Sequence, residues 1–255
     1  MADRDWALRL FDKSVLKQRK LAEISRSLGP TDGLRCLDLG SDNGVVSLLL
    51  RRRGGSWASG DLTAEAVGSI RGLVETDVHL VEASRLPFPD RSFDRVAVVD
   101  MLEHAPDEGA FARELARVTK PGGRLVVNTP HLKRTLLRRL RHAIGQTDEK
   151  HGHLRPGYTP ARLAELLPDF APEGHRTYSR FFSELVDTMV NVAVERLGKK
   201  GSAKGMVVTG GDLAKHRKMF FIYSLLFPFM WAVSRLDTLV PASGYMLIAR
   251  ARRTG

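Results

Sequence analysis

The chain has 255 residues, 43% of them apolar, one cysteine and a formal net charge of +11 at pH 7. That length holds one large α/β domain with an insertion, and the apolar fraction, with neither heptads nor internal repeats, excludes a mostly disordered or repetitive chain. The charge calls for an anionic partner, nucleic acid or the negative face of a membrane, or serves solubility alone; Cys36 in an apolar run and a start, Met-Ala-Asp-Arg-Asp, without a secretory core point to a reducing, cytoplasmic setting.

Residues 5–28 space Trp6, Leu10, Val15, Leu21, Ile24 and Leu28 among charged residues as an amphipathic helical lead-in that Gly29-Pro30 ends. Strands and helices then alternate. Arg35–Leu39 reads as a strand, Asn43–Arg53 as a helix and Ser56–Gly60 as a second strand closed by Asp61. Thr63 caps a helix to about Val74, Val78–Glu82 is a third strand, and a Pro-rich loop, Leu86-Pro87-Phe88-Pro89-Asp90, follows. Arg95–Val99 is the fourth strand, Asp107–Val118 a helix with Phe111, Leu115 and Val118 on one side, and Pro121-Gly122-Gly123 a turn into a fifth strand, Arg124–Asn128. The alternation predicts a parallel sheet with helices on both faces and ligands at the carboxyl ends of the strands, where Gly40, Asp61, Glu82 and Asp100 fall.

Beyond the fifth strand the pattern is less regular. His131–Gly145 is a basic helix with Lys133, Arg134, Arg138, Arg139 and Arg141 and no acid, and Thr147–Gly157 a polar loop. Thr159-Pro160 opens a short helix to Leu167, and Glu173–Ser179 is a sixth strand. Residues 181–197 and 212–238 are helical patterns joined by a Gly/Lys-rich linker, Gly198–Gly211, whose composition is that of a mobile segment; Gly244–Arg252 closes the chain as a strand.

The most informative stretch is Cys36-Leu37-Asp38-Leu39-Gly40-Ser41-Asp42-Asn43-Gly44, an apolar strand feeding a glycine turn. Gly40 and Gly44 permit unusual dihedrals and a close approach to a nucleotide-like ligand, at which the N–H groups opening the next helix point. Asp42 stands where a dinucleotide loop has its second glycine, so the turn alone does not name the ligand.

The turn is followed by Asp61, by Glu82-Ala83, by Leu86-Pro87-Phe88-Pro89-Asp90 with Ser92-Phe93-Asp94, by Leu102-Glu103-His104 and by Lys120-Pro121-Gly122-Gly123. In this order, over roughly residues 34–130, these elements resemble the class I S-adenosylmethionine-dependent methyltransferases, particularly the group that includes ubiquinone/menaquinone and sterol methyltransferases. The resemblance implies an α/β, Rossmann-like sheet with helices on both faces, here with a C-terminal helical, partly hydrophobic insertion before the last strand. It divides the chain into a helical cap (1–30), a cofactor-binding core (31–179), the insertion (180–242) and a final strand with a basic tail (243–255). It also implies S-adenosylmethionine as cofactor and S-adenosylhomocysteine as product.

Two vicinal ribose hydroxyls are well held by a carboxylate, which makes Asp61, with Leu62 beside it, the expected ribose ligand; its plainer role is to cap a helix. By resemblance, Glu82 accepts from the adenine amino group and the Ala83 backbone meets the ring, Asp38 fixes the glycine loop and reaches the methionine end, Gly40 allows close approach, and Asp100 lies at the same edge. Ser41 and Asp42 depart from the frequent Cys-Gly of the family; Asp42 either meets the cofactor's ammonium or faces water.

Methyl transfer from a sulfonium needs alignment and a dry pocket, and no metal. A hydroxyl or acidic carbon acceptor also needs a base, for which His104, His151, His153 and Tyr158 are the candidates, although the resemblance implies for His104 a structural role, since Leu-Glu-His often caps the fourth strand in the family. Asp148, His151 and His153 make a metal set on paper but have no further ligand cluster. The run Met219–Ser234 is uncharged, broken by Pro228 and shorter than the ~20 apolar residues a spanning helix needs. With Lys215, Arg217 and Lys218 before it and Arg235 after, it suits a segment lying in the interface of an anionic membrane, or else a helical lid or dimer contact.

The leading expectation is a methyltransferase that meets a lipid, quinone-like or isoprenoid molecule, or a lipid-linked glycan, at the cytoplasmic face of a membrane. A second makes the substrate RNA, with the arginines of residues 133–141 on phosphates, but no aromatics interleave with them and no Asn/Asp-Pro-Pro-aromatic motif follows the fourth strand. A third keeps the fold as a non-catalytic, cofactor-binding scaffold.

Overall fold

The structure is a computed structural model that describes the chain apart from residues 1, 134–135, 144, 146–151 and 198–209. The lead-in expected as one helix is two, α1 (Ala2–Phe11) and α2 (Val15–Leu28). Ser14 makes the break: its backbone is extended and its hydroxyl accepts the Lys17 N–H at 3.3 Å, so it caps α2 afresh. Gly29, at φ 74°, closes α2 by returning its N–H to Ser25 O.

Seven strands follow: β1 (Arg35–Leu39), β2 (Ser56–Asp61), β3 (Val78–Leu80), β4 (Phe93–Val99), β5 (Thr119–Pro130), β6 (Phe170–Tyr178) and β7 (Met246–Arg253). They form one sheet in the order β3-β2-β1-β4-β5-β7-β6. The pairs among β1 to β5 are parallel, as expected, and the order reverses between β1 and β4, where ligands of such sheets bind. β7, whose direction the sequence pattern does not give, runs antiparallel to both β5 and β6. The cause lies in the helical segment before it: Tyr178 ends β6 and pairs with Met246, which starts β7, so the chain leaves and re-enters the sheet at the same end and must return reversed. Gly244 makes the crossing possible, since a Cβ there would stand 2.0 Å from Tyr178 O.

Helices α3 (Val45–Arg51), α4 (Ala64–Val74), α5 (Glu108–Val118), α6 (Leu136–Ala143) and α7 (Pro160–Leu166) lie between strands, and α8 (Phe181–Leu197) and α9 (Gly210–Arg235) precede β7. The expected linker therefore falls almost wholly outside the described residues. Alternation along the strands splits the core in two: Leu37, Val96, Val98, Leu125 and Leu247 pack with Phe111 and Leu115 of α5 and Leu163 of α7. Cys36, Ala97, Val126 and Ile248 turn to the other face, against Ile24 and Leu28 of α2 and Val46 and Leu50 of α3. Burial pushes the Cys36 thiol up to about 12, which leaves it an inert core residue.

One buried carboxylate ties the helical segment to the N-terminus. Asp237, in the 3-10 turn after α9, accepts from the N–H groups of Arg180, Phe182 and Ser183 at 2.8, 2.9 and 3.1 Å, from Ser183 Oγ at 2.5 Å and from Arg19 Nη1 of α2 at 2.8 Å. It thus supplies an anion to the opening turn of α8. Burial raises its pKa, the donors outweigh that, and the net shift is downward. We predict that Asp237→Ala, which strands these donors, costs about 3 kcal/mol in chemical denaturation and makes α8 and α9 the first sites of limited proteolysis. An unchanged midpoint would show that the tether carries no stability.

Candidate active site at the carboxyl edge of the sheet

The glycine turn is held from behind. Asp38 has no solvent exposure; its Oδ1 accepts Ser41 Oγ and Ser47 Oγ, each at 2.5 Å, and its Oδ2 accepts Ser59 Oγ at 2.7 Å and Arg51 Nη1 at 3.4 Å. Asp38 therefore fixes the loop as expected, but its oxygens are occupied, which corrects the expectation that it also reaches the methionine end of a cofactor. Ser41 is buried against it. Gly40, at φ 85°, leaves no room for a Cβ, which would lie 2.2 Å from Val99 O, and one on Gly44, at φ 77°, would lie 2.7 Å from Ile70 Cα. Both glycines let the loop press onto the end of β4 and onto α4.

Asp42, at φ 53°, turns its N–H to Asp61 Oδ2 at 3.3 Å. Asp61 sits half-buried at the end of β2; burial raises its pKa, backbone N–H groups of Asp42 and Thr63 oppose that, and the net shift is upward. Leu62 packs partly against the core. β3 ends at Leu80, before the predicted Glu82, which is exposed in a tight turn where its carbonyl accepts Arg85 N at 3.0 Å; Ala83 next to it is buried. Asp42, Asp61 and Glu82 thus follow the ends of β1, β2 and β3 in turn.

A second row crosses the edge toward β6, and most of it has no counterpart among the residues the sequence pattern singles out. Asp100, at φ 47°, accepts Asn128 Nδ2 at 2.6 Å and pairs with Lys20 of α2, and Asn128 Oδ1 accepts the Tyr178 hydroxyl at 2.5 Å. Glu103, in the 3-10 turn after β4, is fully buried; its Oε2 accepts Thr129 Oγ1 at 3.1 Å, and its Oε1 has no hydrogen-bond partner. Burial, then the Asp100 charge, pushes its carboxyl up to about 8. In the sequence it stands within the Leu102-Glu103-His104 element, with nothing local to show that it is buried.

His104 donates its Nδ1–H to Gly152 O at 2.9 Å and meets the His153 ring edge-on, centroids 4.9 Å apart. Glu103, His104 and His153 bring one ligand atom each within 4.8 Å of one another, a donor set a divalent metal accepts, assembled from different residues than Asp148 and His151, which lie outside the described residues. Tyr158 corrects its expected place as a base: it is buried in the core and its hydroxyl donates to Glu108 Oε2 at 2.8 Å, while burial and that carboxylate raise its pKa. The loop before it is pinned by Arg155, which donates to Ala105 O and Pro106 O at 2.5 and 3.0 Å.

Residues 37–127 match the family described as a methyltransferase domain. Among curated proteins, the chain is 36% identical over 131 residues to a ubiquinone biosynthesis O-methyltransferase of Xylella fastidiosa (strain 9a5c), covering 48% of this chain and 51% of that protein. It is 39% identical over 107 residues to a demethylmenaquinone methyltransferase of Mycobacterium sp. (strain KMS), covering 41% and 45%. The aligned part thus spans about half the length of these relatives. Among solved structures, the [4+2]-cyclase SpnF aligns with TM-score 0.59 at 20% identity over 93% of this chain and 81% of that one. The N-methyltransferase NodS from Bradyrhizobium japonicum WM9, in complex with S-adenosylhomocysteine, aligns with TM-score 0.56 at 12% identity over 96% and 91%. These structural likenesses establish the fold.

The buried Glu103 makes a pH prediction. Its pKa is raised above the unfolded value, so the stability it contributes is present below about pH 4.5 and is lost as pH rises through about 8. In thermal melts between pH 5 and 8, Glu103→Gln should therefore gain on the wild type with rising pH, by at most about 1.4 kcal/mol per unit. Parallel curves would mean that Glu103 is already ionised in the fold.

Proposed function

We propose, given that this chain carries a class I S-adenosylmethionine-dependent methyltransferase domain, that it methylates a small lipophilic acceptor met at the surface of an anionic membrane. The residues present suit the cofactor. Asp61 is half-buried at a strand end beside the glycine turn, with lone pairs for a ribose diol; Glu82 is exposed at the next strand for the adenine amino group, with the Ala83 backbone beside it. When bound, the cofactor supplies a methyl group made electrophilic by its sulfonium. The chain's part is to orient it, exclude water and, for a hydroxyl or acidic carbon acceptor, take up a proton. His104 suits the proton uptake, because its Nδ1–H is engaged with Gly152 and Nε2 is then the accepting atom of the neutral ring, with His153 and buried Glu103 adjacent.

The lipophilic acceptor is supported by the two quinone-pathway names among the relatives, and the membrane by one feature of α9. Phe221, Leu225 and Phe229, four residues apart and so on one helix face, are 69%, 70% and 68% exposed, whereas Ser234 is fully buried. The helix is apolar outward, the reverse of a surface helix in water. Arg235 lies over the Trp231 ring and Lys13 over the Phe227 ring, cations beside apolar side chains as an anionic interface favours. No helix among the described residues is long and apolar enough to cross a membrane, which leaves an in-plane association. RNA is the weaker reading: Lys133 and Arg141 face buried Glu184 at 3.6 Å each, and Arg138 donates to Pro156 O, so these cations are engaged within the chain.

Calorimetry with S-adenosylhomocysteine should show binding that Asp61→Ala weakens about tenfold or more. Cofactor carrying a labelled methyl should mark a membrane-lipid extract and leave RNA unlabelled; label in RNA alone would reverse the choice of acceptor, and none in either would favour a non-catalytic scaffold. In flotation with anionic liposomes, Phe221→Glu/Phe229→Glu should stay with the soluble fraction while the wild type floats. Equal partitioning, with a dimer lost in the variant, would make this face a contact between copies.

A further inference from the structure

We infer that the Tyr245 hydroxyl binds a hydroxyl or carbonyl oxygen of the methyl acceptor, at the junction of the sheet edge with helices α6 and α8. The inference rests on the methyltransferase reading above and adds to it a residue for the acceptor side.

Tyr245 stands just before β7, and its backbone is fixed on both sides. Its N–H donates to Ser179 O at 2.9 Å and its carbonyl accepts His131 N at 2.8 Å. The side chain is 8% exposed and belongs to the core cluster that holds Tyr178 and Met246. Its hydroxyl is buried and has no hydrogen-bond partner among the described residues. A buried tyrosine hydroxyl is ordinarily satisfied. Tyr178 in the same cluster shows the ordinary case, donating to Asn128 Oδ1 at 2.5 Å. Ser179, held at φ 54° without being glycine, carries a second buried and unpartnered hydroxyl at this corner.

The surroundings say what the hydroxyl is for. In the strand order β3-β2-β1-β4-β5-β7-β6, Asp42, Asp61 and Glu82 follow the ends of β1, β2 and β3, on one half of the edge. Tyr245 enters β7 on the other half, beyond the row of Asp100, Asn128 and Tyr178, which is where an acceptor has to lie. Asp187 and Glu184 of α8 and Arg141 of α6 act on the hydroxyl; burial raises its pKa most and Asp187 next, so the group keeps a proton to donate. α8 buries Ser183, Glu184 and Thr188 and leaves Phe181 and Met189 45% and 50% exposed, so the face it turns inward is polar. These inner groups bond one another and their neighbours: Ser183 goes to Asp237, Thr188 Oγ1 to Glu184 O, and Glu184 faces Lys133 and Arg141 at 3.6 Å each. None of them reaches Tyr245. A polar helix face held by such long ion pairs parts for a polar head group at less cost than an apolar one, and the hydroxyl beneath it then gains the partner it lacks in the fold.

The test uses Tyr245→Phe, which removes the hydroxyl and keeps the ring. In thermal melts without ligand its midpoint should equal or exceed that of the wild type, whereas Tyr178→Phe, which strands Asn128, should melt lower. Calorimetry with S-adenosylhomocysteine should give Tyr245→Phe the wild-type affinity. With cofactor carrying a labelled methyl, the amount of membrane-lipid extract needed for half-maximal labelling should rise about tenfold in Tyr245→Phe, with the maximal rate close to that of the wild type. A Tyr245→Phe chain that melts lower or fails to fold overturns the assignment, because the hydroxyl then has a partner within the fold. So does weakened S-adenosylhomocysteine binding, which would move the hydroxyl to the cofactor side. A labelled wild type with unchanged half-saturation in the variant overturns this inference alone, whereas a wild type that labels nothing in the extract overturns the acceptor reading and the inference with it.

Discussion

A carboxylate shut off from water stands at the middle of the sheet's ligand edge, and the rest of the site depends on the donors that converge on it. Asp38, next to the end of β1, gathers Ser41 from the turn, Ser47 and Arg51 from α3 and Ser59 from β2. A buried carboxylate left without such partners costs several kcal/mol, so the four groups are held as firmly as the charge needs them. With the turn anchored from behind, Gly40 and Gly44 bring it hard against β4 and α4, and the strained backbone of Asp42 delivers an N–H to Asp61. Asp61 is thus placed by a chain of contacts that starts at the buried Asp38.

Asp237 repeats the device at a second junction, where one buried carboxylate joins α2, the start of α8 and the end of α9. The chain carries 40 lysines and arginines against 29 acids. Many of its cations are structural: Arg117 holds Glu114 and Asp90, Arg124 and Arg252 share Glu173, and Arg155 and Arg162 share Glu108. Net charge therefore overstated the case for a phosphate-binding face, because it counts cations without regard to what they touch.

What could be read from the sequence was what local chemistry determines. The Thr63 and Thr159 caps and the strands around the glycine turn each follow from a few neighbouring residues, and all are found where those residues place them. The reversed β7 was not legible because strand direction depends on where a long connection returns, and no window of residues carries that. Tyr158 was misjudged, and Glu103 was given no role, for a related reason. A tyrosine in a polar loop and a glutamate beside a histidine look solvated, and only the packing of β4, α5 and the loop after α6 buries them. Lys20 lay farthest from view, eighty residues from Asp100 in a helix read as a mere lead-in.

The same return of the chain that reverses β7 also decides how the helical segment relates to the site. Because β6 ends and β7 begins at the carboxyl edge, α8 and α9 rise from the end of the sheet that carries Asp100, Asn128 and Tyr178, not from the opposite one. Lys13, at the corner between α1 and α2, lies over Phe227 of α9, so the cap that supplies Lys20 and the helix that turns its apolar face outward are neighbours. On the proposed reading this proximity has a use. An acceptor dissolved in a membrane would pass from the surface under α9 to the carboxyl edge without crossing bulk water, and desolvation that methyl transfer needs would already be met by the acceptor's own surroundings. On that reading the outward face of α9 and the buried pair Asn128 and Tyr178 behind Asp100 would answer one physical demand, that a reaction at a sulfonium be kept from water on both the donor and the acceptor side.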